Sequence, residues 1–174
     1  MIIIKRVGQL IGVVFILALL FFTFGTSRYQ SMKTKGCSLV VFENKLKKAS
    51  AENSEIDISK LTNFQWDECY VFTPYYPSKD IYKKVGTEWT TAKTYLGFLV
   101  SHNAENDTIS DEDFLIVFKK GTKVVLAKKY SINQLPVIFK LDNFKFTRKN
   151  AKFLVTGSKQ YDKGKIKELI LKQT

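Results

Sequence analysis

Eighteen consecutive positions, Val7 to Phe24 (VGQLIGVVFILALLFFTF), carry no charge, and Lys5 and Arg6 stand just before them. Coiled as a helix rising ~1.5 Å per residue, the stretch reaches ~27 Å, close to the hydrocarbon thickness of a bilayer. It is apolar on every face, so it has no polar side to turn to water as the amphipathic helix of a small soluble domain would. The chain is therefore expected to begin with a transmembrane anchor over residues 1–25. A polar, basic linker over residues 26–36 and one domain over residues 37–174 follow.

A cleaved signal peptide is the competing reading. Its apolar region is typically ~7–15 residues long, shorter than this one, although small residues occupy the critical positions of Thr23-Phe24-Gly25. A lipoprotein is excluded because Thr34-Lys35-Gly36 precedes Cys37, well past the apolar run. A pilin-like segment would need an acidic residue just inside the run, and none is there. The short basic head followed at once by apolar residues is export grammar. It places the N-terminus in the cytoplasm and the domain outside, at the cell membrane. Arg28, Lys33 and Lys35 on the other flank weigh against that by simple counting. Gly8 and Gly12 form a small-xxx-small pair, the spacing through which two such helices make a homodimer.

The formal charge of +12 is unevenly spread. Residues 26–118 hold 11 basic and 13 acidic side chains, whereas residues 119–174 hold 15 basic ones against Asp142, Asp162 and Glu168. A lysine-rich final third attracts anionic envelope polymers, lipid headgroups or nucleic acid. Only Arg6, Arg28 and Arg148 are arginine, and lysine lacks the planar fork that reads phosphate bidentately, so nucleic acid is disfavoured. Lys123, Lys128 and Lys152 are the candidate binding lysines.

Little in the chain resembles catalytic machinery. His102 is the sole histidine, no G-x-S-x-G elbow is present, and there is neither a P-loop nor G-x-G-x-x-G. One histidine and two cysteines leave a tetrahedral zinc site a ligand short. Asp107, Asp111, Glu112 and Asp113 lack the calcium-loop pattern. No metal or cofactor is expected. Cys37 and Cys69 would close a loop of about 33 residues if oxidised; two unpaired thiols are the alternative.

Hydrophobic periodicity predicts an α+β domain with an antiparallel sheet of five or six strands and two or three short helices. A helix is expected over Cys37–Ala49, then a loop over residues 50–60 with Ser59 as a cap. A strand is expected over Asp67–Thr73 and a helix over Ser78–Lys84 capped by Ser78. Residues 95–101 (YLGFLVS) read as a strand. Phe114–Phe118 and Val124–Ala127 read as a hairpin of central strands covered on both faces, followed by strands at 137–141, 144–146 and 153–155. The spacing of Ile166, Leu169 and Ile170 predicts a C-terminal helix over residues 162–172.

The densest aromatic stretch is Leu61 to Pro77, LTNFQWDECYVFTPYYP. Its run Phe64-x-Trp66-Asp67-x-x-Tyr70-x-Phe72-x-Pro74-Tyr75 resembles a signature of small bacterial proteins that carry an amino-terminal anchor or signal and have no established activity. The resemblance implies an envelope location and transfers no functional residue. Trp66, Tyr70, Phe72, Tyr75, Tyr76 and Tyr82 offer a stacking surface or, as strand-alternating aromatics usually do, a core. Tyr75 and Tyr76, held between two prolines, are the exposed candidates for recognition.

These features imply a non-enzymatic, membrane-anchored envelope protein that binds a protein partner or an anionic surface. Two alternatives stay open. An enzyme of unrecognised type would need a pocket around His102. A cytoplasm-facing nucleic-acid binder would need the inverted orientation.

Overall fold

Two four-stranded sheets organise the domain, in place of the single sheet of five or six strands expected from periodicity. The computed structural model describes residues 2–34, 39–101, 108, 110–161 and 164–172, and the fold is α+β. The elements before the main hairpin are α1 (Ile2–Met32), α2 (Leu39–Glu52), β1 (Glu55–Asp57), α3 (Ile58–Leu61), β2 (Glu68–Phe72), α4 (Ser78–Val85) and α5 (Tyr95–Ser101). The hairpin β3 (Asp113–Lys120) and β4 (Lys123–Ser131) follows, then β5 (Val137–Lys140), β6 (Lys145–Thr147), β7 (Lys152–Tyr161) and β8 (Gly164–Leu171). One sheet has the order β1-β7-β8-β5 and the other β4-β3-β2-β6. All pairings are antiparallel except β5 with β8.

The sheets face each other across one core. Phe42 and Leu46 of α2 join Val71, Ile116, Phe118, Phe146, Phe153 and Leu169 there. Alternate residues of the second sheet point the other way. Tyr70, Phe72, Leu115 and Val117 pack with Ile81, Tyr82 and Val85 of α4 and with Trp89. β3 is thus covered on both faces, which explains its unbroken apolar run. Its partner β4 is a sheet edge rather than the central strand expected.

Several local expectations are corrected. Helix α1 does not stop at Gly25; it continues through the segment read as a linker, to Met32. The polar residues there form one helix face, while Tyr29 and Met32 on another are buried with Ala92 and Phe98. The YLGFLVS segment is helix α5, not a strand. The C-terminal segment is strand β8, hydrogen-bonded to β7 and β5 on its two sides, not a helix. Asp57, not Ser59, caps α3, its carboxylate accepting from the Ser59 backbone N–H at 3.0 Å. Pro77 stands at the start of α4 without a side-chain cap, so Ser78 is its first helical residue.

Candidate functional site

The end of α1 is fastened to the domain. Thr90 N–H donates to the Met32 carbonyl and Thr34 N–H to the Thr90 carbonyl, both at 3.0 Å. The Tyr29 hydroxyl donates to the Ala92 carbonyl at 3.0 Å, and Arg28 pairs with Glu88 at 3.0 Å. Between this last turn and the β3–β4 hairpin lies a groove of about 410 Å³, bordered by Ser31, Lys33, Thr87, Glu88, Lys120 and Lys123 among others. The hairpin turn is held by Gly121, which has φ 56 and donates its N–H to the Asp67 carboxylate at 2.8 Å. Lys120 and Lys123 therefore border a groove whose one lining carboxylate, Glu88, is already held by Arg28; Lys33 borders it too, but its ammonium donates to the Lys93 carbonyl at 3.2 Å and lies over the Tyr29 ring. Such a cluster favours an anion. The sequence reading found Lys123 but missed Lys33 and Lys120, because nothing local shows that the linker segment folds back beside the hairpin.

The three lysines proposed from sequence do not act together. Lys123 lines the groove; Lys128 is partly buried, bonded to Glu43 of α2 and stacked over Tyr130 at 4.9 Å. Lys152 is exposed on β7, in the other sheet, near Glu55 and Asp57. Part of the charge asymmetry of the chain is folded away. Glu43 meets Lys128, Glu55 meets Lys172, and Glu68 meets Lys145 and Lys119, so acids of the first part pair with lysines of the last.

Glu68 is the centre of the best-formed of these groups. The hydrogen bond from Lys145 Nζ at 2.9 Å, with another from the Tyr70 hydroxyl at 2.9 Å, holds its carboxyl below the ordinary 4.5 despite desolvation. A lowered pKa contributes stability above the ordinary value, which fades as pH falls through the folded-state value. Glu68→Gln is expected to lose about 1 kcal/mol at neutral pH, a charged hydrogen bond discounted for partial exposure. Its acid limb should also flatten in urea titrations between about pH 5 and 3; an unchanged limb would remove Glu68 from the account. Burial, then the Glu68 bond, pushes the Tyr70 phenol up to about 12 from 10, so its contribution is complete below 10 and lost as pH rises toward 12.

The aromatic signature is mostly structural. Trp66 is buried and donates Nε1–H to Thr62 Oγ1 at 2.9 Å, Asp67 fastens the hairpin turn, and Phe72 is fully enclosed. Tyr70 and Tyr82 are buried too. Tyr75 alone of the group is widely exposed, at 66 %, and it adopts φ 67. Tyr76 is half-buried against Phe72 and Phe144, and Phe144 also has positive φ, 55. Buried Thr108 pins this corner, accepting from the Tyr76 N–H at 3.0 Å and donating to the Thr73 carbonyl at 3.0 Å. A tyrosine in the left-handed region costs ~1–2 kcal/mol. Tyr75→Gly is therefore expected to raise stability by roughly 1 kcal/mol once glycine's larger unfolded-state entropy is counted. Thermal denaturation checks it; a lower Tm would show that the ring's packing outweighs the backbone strain.

Cys69 is a free thiol in the inter-sheet core, and burial raises its pKa. Cys37, His102 and Asp107 lie outside the described residues. Among the described residues, no three His, Cys, Asp or Glu side chains are placed to hold a metal ion. Gly12 faces open space, and Gly8 lies one turn before it on α1. Comparison with known proteins finds no matching family model, no matching curated protein and no matching solved structure.

Proposed function

We propose that the chain is a non-enzymatic, single-pass membrane protein whose domain lies outside the cytoplasm and holds anionic lipid headgroups in the groove between α1 and the β3–β4 hairpin. Helix α1 is the one helix among the described residues long and apolar enough to cross a membrane. The observation that carries the reading is the position of Lys120 and Lys123 beside the turn of α1 that would emerge from the bilayer. Basic side chains within a Debye length of an anionic leaflet are each attracted by ~1 kcal/mol. The envelope location agrees with what the aromatic signature implies.

Lys120→Glu with Lys123→Glu in the full-length protein is expected to lose most of the phosphatidylglycerol that the detergent-solubilised chain retains in native mass spectrometry. Lys152→Glu, on the other sheet, should retain it. Equal retention by both variants would sink the groove as a headgroup site. A second reading, capture of a protein partner, is favoured by the exposed Tyr75 ring on its strained backbone, since strain of that kind concentrates at functional corners.

A further inference from the structure

Helix α5 is uncharged throughout, and it buries only one side of what it carries. Tyr95 and Phe98 turn inward: Tyr95 packs on Phe22 and Tyr29 at ring distances of 5.7 and 6.1 Å, and Phe98 packs on Tyr29 at 5.6 Å. The Tyr95 hydroxyl fits against α1 where Gly25 has no Cβ; a Cβ there would meet it at 1.9 Å. The opposite stripe, Leu96, Leu99 and Val100, is 71 %, 49 % and 87 % exposed. These residues stand three and four apart and so share one face. By contrast, α2 and α4 present lysines outward.

The height of α5 along α1 says what covers that face. Arg6 and Arg28, which bracket the uncharged stretch, are 22 residues apart, or ~33 Å along a helix, the span of a bilayer's hydrocarbon. Gly25 and Phe22, the contacts of Tyr95, lie three and six residues before Arg28, hence ~5 and ~9 Å inside it. The exposed stripe thus stands at the height of Phe21, Phe22 and Phe24, which are exposed as well and whose neighbour, if α1 spans the bilayer, is lipid. Lys33 donates to the Lys93 carbonyl at 3.2 Å, and Lys93 is exposed, which sets two cations beside the helix at headgroup level. An aromatic, apolar element flanked by lysines is what the membrane interface favours.

We propose that α5 is a second membrane-contacting element, lying in the bilayer interface against α1 with Leu96, Leu99 and Val100 among the acyl chains. The inference rests on α1 spanning the membrane and adds that the domain is seated on the bilayer at a fixed tilt rather than hanging from a tether.

The test uses the full-length protein in vesicles of phosphatidylcholine and phosphatidylglycerol with brominated acyl chains. Bimane is attached to Leu96→Cys or Val100→Cys in a Cys37→Ser background; buried Cys69 does not compete for the label. Leu20→Cys on α1 and Lys152→Cys on the far sheet are the references. Quenching at both α5 positions should approach that at Leu20→Cys and exceed that at Lys152→Cys several-fold. Quenching at Leu20→Cys alone overturns the proposal and leaves the anchor standing. In that case, disulfide-linked dimers through Leu96→Cys would identify a second copy as the occupant. Absence of quenching at Leu20→Cys as well removes the anchor, and the proposal with it.

Discussion

Leu17→Arg combined with Leu20→Arg is expected to release the chain from the membrane fraction while leaving its domain folded. Leu17 lies midway between Arg6 and Arg28, and an arginine at the centre of a spanning helix costs ~2.5–3.5 kcal/mol on insertion scales. Two of them cost ~5–7 kcal/mol, roughly four to five orders of magnitude in partition. Both leucines are exposed, at 60 % and 48 %, so neither substitution opens a cavity in the protein. That separates insertion from folding. Carbonate extraction and flotation report the first, and the fluorescence of buried Trp66 and Trp89 the second. Leu17→Ala with Leu20→Ala should stay in the membrane. Carbonate-resistant retention of the double arginine variant would mean that α1 does not hold the chain by spanning lipid.

What the sequence disclosed follows from how far each signal reaches. The apolar run and the β3–β4 hairpin announce themselves within one element, by length and by a glycine turn. Ser78–Val85 likewise shows its packing residues, Ile81, Tyr82 and Val85, at helical spacing and ends at Gly86, whose φ of 76 suits its place as cap. The errors arose where a distant partner decides. Seven uncharged residues, YLGFLVS, satisfy a buried strand and a half-buried helix equally well, and only the docking of Tyr95 and Phe98 on α1 distinguishes them. In β8 the helical spacing of Ile166 and Leu169 was real, since both are buried. The register of β7 shifts between Thr156 and Ser158, opposite this stretch. The added twist at such an irregularity lets residues three apart in the facing strand both reach the core. The candidate lysines were hardest to read, because charge segregated along the chain is partly re-paired in space. Lys128 looked available and is held by Glu43, while Lys33 looked like linker and borders the groove.

Phe118→Ala is expected to be the most damaging single substitution in the domain, at about 3–5 kcal/mol. Phe118 is fully buried and stands edge-on to Phe42, Phe64 and Trp66 at ring distances of 5.4, 5.2 and 5.1 Å. It therefore joins α2, the segment before β2, and β3. Removing it forfeits the transfer energy of the ring, leaves a cavity among rigid neighbours that cannot collapse, and breaks three aromatic pairs worth ~0.5–1.5 kcal/mol each. Against a typical domain stability of ~5–15 kcal/mol, that leaves a marginal fold. The loss should not stay on one side of the sheet. The next residues along β3 alternate, so Leu115 and Val117 carry the α4 layer while Ile116 and Phe118 carry the inter-sheet core. Urea titration followed separately by Trp66 in one core and Trp89 in the other, each with its companion replaced by Phe, should give midpoints that fall together. Phe118→Leu should recover most of the loss. Were the Trp89 midpoint to hold while that of Trp66 fell, the two layers would be independent units, and β3 would not be the strand that couples them.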